Sequence, residues 1–130
     1  MAIALLKNEP AIFRKPLRRA VSRGAAIGVC SIVLYERRYE VARGAHRREN
    51  AERLRVFPSA GVEAIPFDEE DSKTAGELRA TLEAAGTPIG PRGLMIAAQA
   101  LRVSAILVTA NVGESARVSG LQRQDWAAKA

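Results

Sequence analysis

Apolar residues in this chain fall into short runs set between charged stretches, and the spacing of the runs changes along the sequence. The most informative stretch is 86–114, GTPIGPRGLMIAAQALRVSAILVTANVGE. Pro88, Gly90 and Pro91 break the preceding pattern, because proline fixes φ and lacks an N–H while glycine accepts turn geometry. Leu94, Met95, Ile96, Ala97, Ala98, Ala100 and Leu101 follow with scarcely a polar residue between them, as in a helix buried on nearly every side. Ala105, Ile106, Leu107 and Val108 then form a β-prone run of the kind found in parallel strands covered on both faces. Thr109, Asn111 and Glu114 close it, and polar residues just past such a strand are where α/β folds place their chemistry.

The other runs give the rest of the elements. Residues 1–7 read as a short apolar helix, ended by Glu9 and Pro10, with no strand before it. Residues 11–23 predict a basic amphipathic helix with Ile12, Phe13, Leu17, Ala20 and Val21 on one side, Gly24 as its C-cap, and Pro16 kinking it or delaying its start. Residues 25–30 suit a strand, and Ser31 suits the N-cap of a helix running to Gly44. A charged helix over 47–56 and a strand over 62–67 come next.

Asp68, Glu69, Glu70 and Asp71 then supply a cap and an acidic first turn for a helix with Ala75, Leu78, Leu82 and Ala85 at helical spacing and Gly86 as terminator. These four acids are helix-start chemistry rather than a metal site, since adjacent residues point in different directions. Residues 118–124 suit a final edge strand, with Trp126 as a closing contact. Helices alternating with short apolar strands predict a single α/β domain over 1–130, built on a parallel sheet.

Composition narrows the chemistry. A chain of 130 residues, 48% hydrophobic, buries one core. The lone Cys30 excludes a disulfide framework, reads as a small buried hydrophobe, and makes a reducing cytoplasm the natural setting. His46 stands among arginines with no second histidine to share a metal or to serve a nucleophile. No run approaches the roughly 20 apolar residues of a membrane span, and the first residues lack the features of a signal peptide, so no membrane is expected. Neither a phosphate loop nor a G-x-G-x-x-G fingerprint is present, which argues against nucleotide-cofactor enzymes. Residues 1–60 hold 13 Lys/Arg against 5 Asp/Glu, and residues 61–130 hold 7 against 9. The basic half fits a polyanion or an acidic partner segment, or else a solvated arginine-rich surface. Aromatics are too few to support base-specific readout.

One carboxylate is conspicuous. Ile32, Tyr35, Glu36 and Tyr39 recur at spacings of three and four, so Glu36 shares a helix face with apolar and aromatic groups. A carboxylate there needs a cation or hydrogen-bond donors, which makes Glu36 a candidate metal ligand or an ion-pair member, with Arg37 or another arginine as the simple counter-ion.

Several segments together carry a family resemblance: Ser31 to Tyr39 (SIVLYERRY), Ile65 to Asp68 (IPFD), Gly86 to Pro91 (GTPIGP), Ile96 to Ala100 (IAAQA), Leu107 to Asn111 (LVTAN), then Glu114 and Arg117 to Leu121 (RVSGL). In this order and spacing they resemble the PIN-domain toxins of the VapC type, the nuclease halves of bacterial toxin–antitoxin pairs, over essentially the whole chain. The resemblance implies a three-layer α/β/α fold and an endoribonuclease dependent on Mg²⁺ or Mn²⁺, with acidic residues converging at the C-terminal edge of the sheet. It also implies RNA as substrate, a VapB-type antitoxin as partner, and a homodimer. Glu36 matches the family's helix glutamate, and Thr109, Asn111 and Glu114 match the loop after the later strand. Glu36 and Glu114 are then the metal ligands, and Arg37, Arg38 and Arg92 the phosphate contacts.

Departures fall on the same chemistry. The family's first aspartate lies in an L-D-T-N segment ending the first strand, whereas residues 1–6 resemble the helix after it, so that strand and its aspartate are expected to be missing. Gly93 stands where a G-P-x-D-x-x-I-A-A segment has its aspartate, and Arg37, Glu40 and Ser115 depart as well. Glu36 and Glu114 alone would hold Mg²⁺ weakly. Loss of a central strand would expose neighbouring edges, leaving a marginally stable monomer prone to associate. Three readings stay open: a working ribonuclease toxin, a nuclease-dead PIN domain that binds antitoxin, and a basic RNA- or DNA-binding α/β domain.

Overall fold

The computed structural model describes residues 3–7, 14–44, 62–109 and 113–125. Five strands, β1 (Ile3–Leu6), β2 (Ala26–Cys30), β3 (Val62–Ile65), β4 (Ile106–Thr109) and β5 (Arg123–Asp125), form one sheet in the order β3-β2-β1-β4-β5. Every neighbouring pair is parallel. β1 is the middle strand, with Leu5 beside Gly28 on one side and Leu107 on the other.

The start of the chain is therefore a strand and not the expected helix, and the first strand is present. The run Ile3–Leu6 is too short to show a period of its own. As a helix it would leave nearly all its backbone groups unpaired, whereas between β2 and β4 both ladders satisfy them. The ground for expecting exposed central edges and self-association disappears with this correction. The sheet's edges are β3 and β5, both short, and Arg123 and Gln124 on β5 are exposed and polar, which disfavours edge-to-edge pairing.

Successive residues of a strand point to opposite faces, so burial of Leu5 with Leu6, and of Leu107 with Val108, means that both faces of the sheet are covered. Helices α1 (Arg14–Ser22), α2 (Ser31–Arg43), α3 (Glu69–Ala84) and α4 (Pro91–Arg102) provide the cover. The order places β2 and β3 on one side of β1 and β4 and β5 on the other, and the right-handed crossover rule then puts α1 and α2 on one face and α3 and α4 on the opposite one. The result is the predicted α/β/α layering. The core centres on Leu5, Leu6, Val29, Ile96, Leu107 and Val108.

Local signals explain the boundaries. Pro16 is the third residue of α1, where no N–H is required, so it neither kinks nor breaks the helix. Gly24 and Gly86 follow α1 and α3 at φ of +80° and +72°, the left-handed geometry that glycine adopts without strain. Asp68 and Asp71 make a reciprocal capping box at the start of α3. Ser31 does not cap α2, whose N-cap position is Cys30. Its hydroxyl instead accepts the Phe67 N–H at 2.9 Å, tying the end of β3 to the corner between β2 and α2. Cys30 is buried and free, as expected. The predicted helix at 47–56, His46 and Trp126 lie outside the described residues.

Asp71 has a second role that its position in an acidic run hid. Its side chain is fully buried and accepts hydrogen bonds from Arg102 Nε and, at 3.0 Å, from Gln99 Nε2. The Gln99 amide also donates to the carbonyls of Ile65 and Pro66, at 3.3 and 3.1 Å. One amide thus joins the end of β3, the start of α3 and the middle of α4. Burial pushes the Asp71 carboxyl up, but the bonds from Arg102, Gln99 and the Asp68 N–H outweigh it and hold the group below the usual carboxylate range.

Candidate active site

In an open parallel sheet a cleft forms beyond the carboxyl ends of the strands where the winding direction reverses, here between β1 and β4. Lys7 follows β1, Thr109 ends β4, α2 leaves β2 carrying Glu36, and the first turn of α4 carries Arg92 and Gly93. Glu114 reaches the cleft from the turn before a short 3₁₀ segment (Ser115–Arg117).

Arg92 ties three of these pieces together. Its Nε donates to Glu36 Oε1 at 2.6 Å, and its Nη2 donates to the Lys7 carbonyl at 2.6 Å. The Arg92 and Glu36 side chains are 36% and 31% exposed, so the pair borders the cleft and is neither fully buried nor freely solvated. Glu36 is an ion-pair member, and its partner is Arg92 from another helix rather than Arg37.

Glu114 is also engaged by the chain. Its Oε2 accepts the Gly90 N–H at 2.9 Å. α4 has no side-chain cap of its own and begins with Pro91, so this carboxylate caps the helix from a distant segment and complements its dipole. The other oxygen faces the first turn of α4. A Cβ built on Gly93 would lie 3.4 Å from Glu114 Oε1 and 3.6 Å from Lys7 Nζ, so ammonium and carboxylate flank one point that a side chain at 93 would enter.

Lys7 was the residue that the sequence pattern concealed. It is buried, its N–H donates to Val108 O at 2.9 Å, extending the β1–β4 ladder, and its ammonium stands in the field of Glu114 and Arg92. Burial pushes its pKa down, Glu114 opposes that, and Arg92 adds to it. Lys7 directly follows the last leucine of β1, the place that an L-D-T-N segment gives to aspartate. That position has a counterpart after all, and it is a lysine.

The predicted residues separate as follows. Glu36, Arg92, Gly93 and Glu114 meet in the cleft. Thr109 is buried at the end of β4, beside Asp125 in the β4–β5 ladder. Arg38 is exposed on α2 and Arg37 is half-buried on the same helix. Asn111 lies outside the described residues.

A five-stranded parallel sheet flanked by helices, with charged side chains gathered where its winding reverses, defines an α/β protein of the doubly wound kind. The chain belongs to the PIN domain family, which it matches over residues 1–119, and within that family to the VapC group. It is 35% identical over 106 residues to Ribonuclease VapC2 of Rickettsia felis, covering 82% of this chain and 78% of the relative. The tRNA(fMet)-specific endonuclease VapC of Shigella flexneri is 31% identical over 126 residues, covering 97% of this chain and 92% of that one. Among solved structures, VapBC2 from Rickettsia felis bound to a promoter DNA fragment superposes with a TM-score of 0.84 at 32% identity, over 97% of this chain and 99% of the matched one.

PIN-domain ribonucleases are generally dependent on a divalent metal. The described residues do not fit one. No group of three or more His, Cys, Asp or Glu among them is placed to hold a metal ion. The two carboxylates at the cleft already accept from Arg92 and from the Gly90 N–H, and Lys7 and Arg92 bring two positive charges to the same place. Like charges about 4 Å apart near a protein surface repel by about 4 kcal/mol per unit pair, twice that for a divalent ion, and two carboxylates already neutralised by two cations do not offset it.

Proposed function

We propose that this chain is the toxin half of a VapBC-type pair, bound in the cytoplasm by a VapB-type antitoxin, and that its own Mg²⁺- or Mn²⁺-dependent cleavage of RNA is impaired. The family membership and the whole-chain likeness to a VapBC complex support the partner and RNA as the class of polymer. One observation carries the impairment: Lys7 and Gly93 occupy the two places where the family pattern puts aspartates, and Glu36 and Glu114 are each held by the chain itself. Arg38, exposed on the helix that carries Glu36, leaves a cation available for phosphate contact without hydrolysis.

The test compares the purified chain with Rickettsia felis VapC2 on total RNA in Mg²⁺, in Mn²⁺ and in EDTA, and measures co-purification with a co-expressed VapB-type antitoxin. Complex formation with little or no cleavage is expected. Cleavage matching the relative and abolished by EDTA would overturn the impairment, and lack of any complex would overturn the assignment to a toxin–antitoxin pair.

A further inference from the structure

We infer that Lys7 is a built-in cation that stands in this cleft in place of a divalent ion, and that Gly93 is the gap that admits it. The inference deepens the reading above and rests on its assignment of the cleft. Two geometric observations lead to it. The Lys7 backbone is held at the end of the central strand, by its N–H on Val108 and by its carbonyl under Arg92, which fixes the direction in which its side chain leaves the strand. It ends with Nζ 3.6 Å and Cε 3.8 Å from the point where a Cβ at 93 would be, against Glu114 Oε1 at 3.4 Å on the same point. The lysine chain and a longer acidic side chain at 93 would compete for one volume, so lysine at 7 and glycine at 93 form a matched pair rather than two separate losses.

Charge points the same way. Glu36 and Glu114 supply two negative charges, and Lys7 and Arg92 two positive ones. In a carboxylate cleft the divalent ion offsets the mutual repulsion of the acids. Here that task is done by side chains, one inside the cleft and one across its rim. The cleft is therefore held together without metal, and what it retains is a surface for a polymer or a partner segment.

Mn²⁺ binding to the full-length chain, followed by calorimetry and by the loss of the free-ion resonance, tests this together with Tm in EDTA, Mg²⁺ and Mn²⁺. The unaltered chain is expected to show no saturable Mn²⁺ binding up to millimolar concentration and the same Tm in all three. The double variant Lys7→Asp/Gly93→Asp is expected to gain saturable binding and a Tm that rises with Mn²⁺ and falls back with EDTA. Lys7→Met, which keeps the length of the side chain without its charge, is expected to gain a weaker Mn²⁺ response and covers the case in which the double variant does not fold. Saturable Mn²⁺ binding by the unaltered chain, or no gain in either variant, would overturn the inference. Neither result touches complex formation with antitoxin, so failure here and failure of the broader functional reading are told apart.

Discussion

Arg92 and Glu36 join the first turn of α4 to the middle of α2 by a 2.6 Å hydrogen bond, across the end of the sheet and independently of any backbone ladder. The same guanidinium also holds the Lys7 carbonyl. Replacing Arg92 by Ala removes both bonds and leaves Glu36 without its cation. Because the pair is about a third exposed, the expected loss is modest, about 1–2 kcal/mol. A urea titration read by circular dichroism reports it as a lower midpoint at unchanged slope. An unchanged midpoint would mean that the two elements are held by packing alone.

Gly93 lies in the first turn of α4 without the excuse of a positive φ. A Cβ there meets its nearest neighbours at 3.4 to 3.8 Å, ordinary contact distances. Gly93→Ala should therefore raise stability by about 0.5–1 kcal/mol, through the smaller backbone entropy lost on folding. A higher Tm checks this, and a lower one would show that Lys7 needs more of the space than its static position suggests.

The Asp71 network predicts a larger effect. Asp71→Ala removes the half of the capping box that the Asp68 N–H donates and leaves the Gln99 amide and the Arg102 guanidinium short of an acceptor. The expected cost is about 2–4 kcal/mol. Gln99 Oε1 is already buried without a hydrogen-bond partner, so the network has little slack.

Acid should expose the same contact. The carboxyl of Asp71 is held below its usual range in the folded chain, so its contribution is fully present above the unfolded pKa of about 3.9 and is lost as pH falls through the folded value. The stability gap between the natural chain and Asp71→Asn is expected to be constant near neutrality and to shrink below about pH 4. A gap that instead widens in acid would contradict the assignment.

Arg38 is exposed on α2, two residues beyond Glu36. If it meets a phosphate, Arg38→Ala weakens RNA binding at every sequence alike. It should also lower the slope of log affinity against log salt by about 0.7, the share of one single-strand phosphate contact. Fluorescence anisotropy over a salt series measures both, and an unchanged slope would remove Arg38 from the RNA-facing surface.

Much of the fold was legible because its signals were local. Glycine at the ends of α1 and α3, the acids opening α3, and the unbroken apolar run of α4 each carry their own physical cause within a few residues. Ile3–Leu6 carried none: four apolar residues fit a strand or a helix turn equally, and only two partners distant in sequence decide between them. The site divided in the same way. Glu36 and Glu114 stood out as acids in apolar or loop settings, and Gly93 as a departure from a pattern. Lys7 did not, since a lysine after an apolar run reads as the end of that run. Asp71 was read by its neighbours and not by Gln99 and Arg102, which meet it only once α3 and α4 pack together.

The middle position of β1 also governs when the cleft can exist. Leu5 sits beside Leu107, a residue far along the chain, in the β1–β4 ladder. Pairing over that separation closes a loop spanning most of the chain, the slow kind of step in folding. Until then β1 has one open flank, and Lys7 has no Glu114 to face. The charged cleft therefore depends on a long-range pairing, and it is complete only when β4 lies alongside β1.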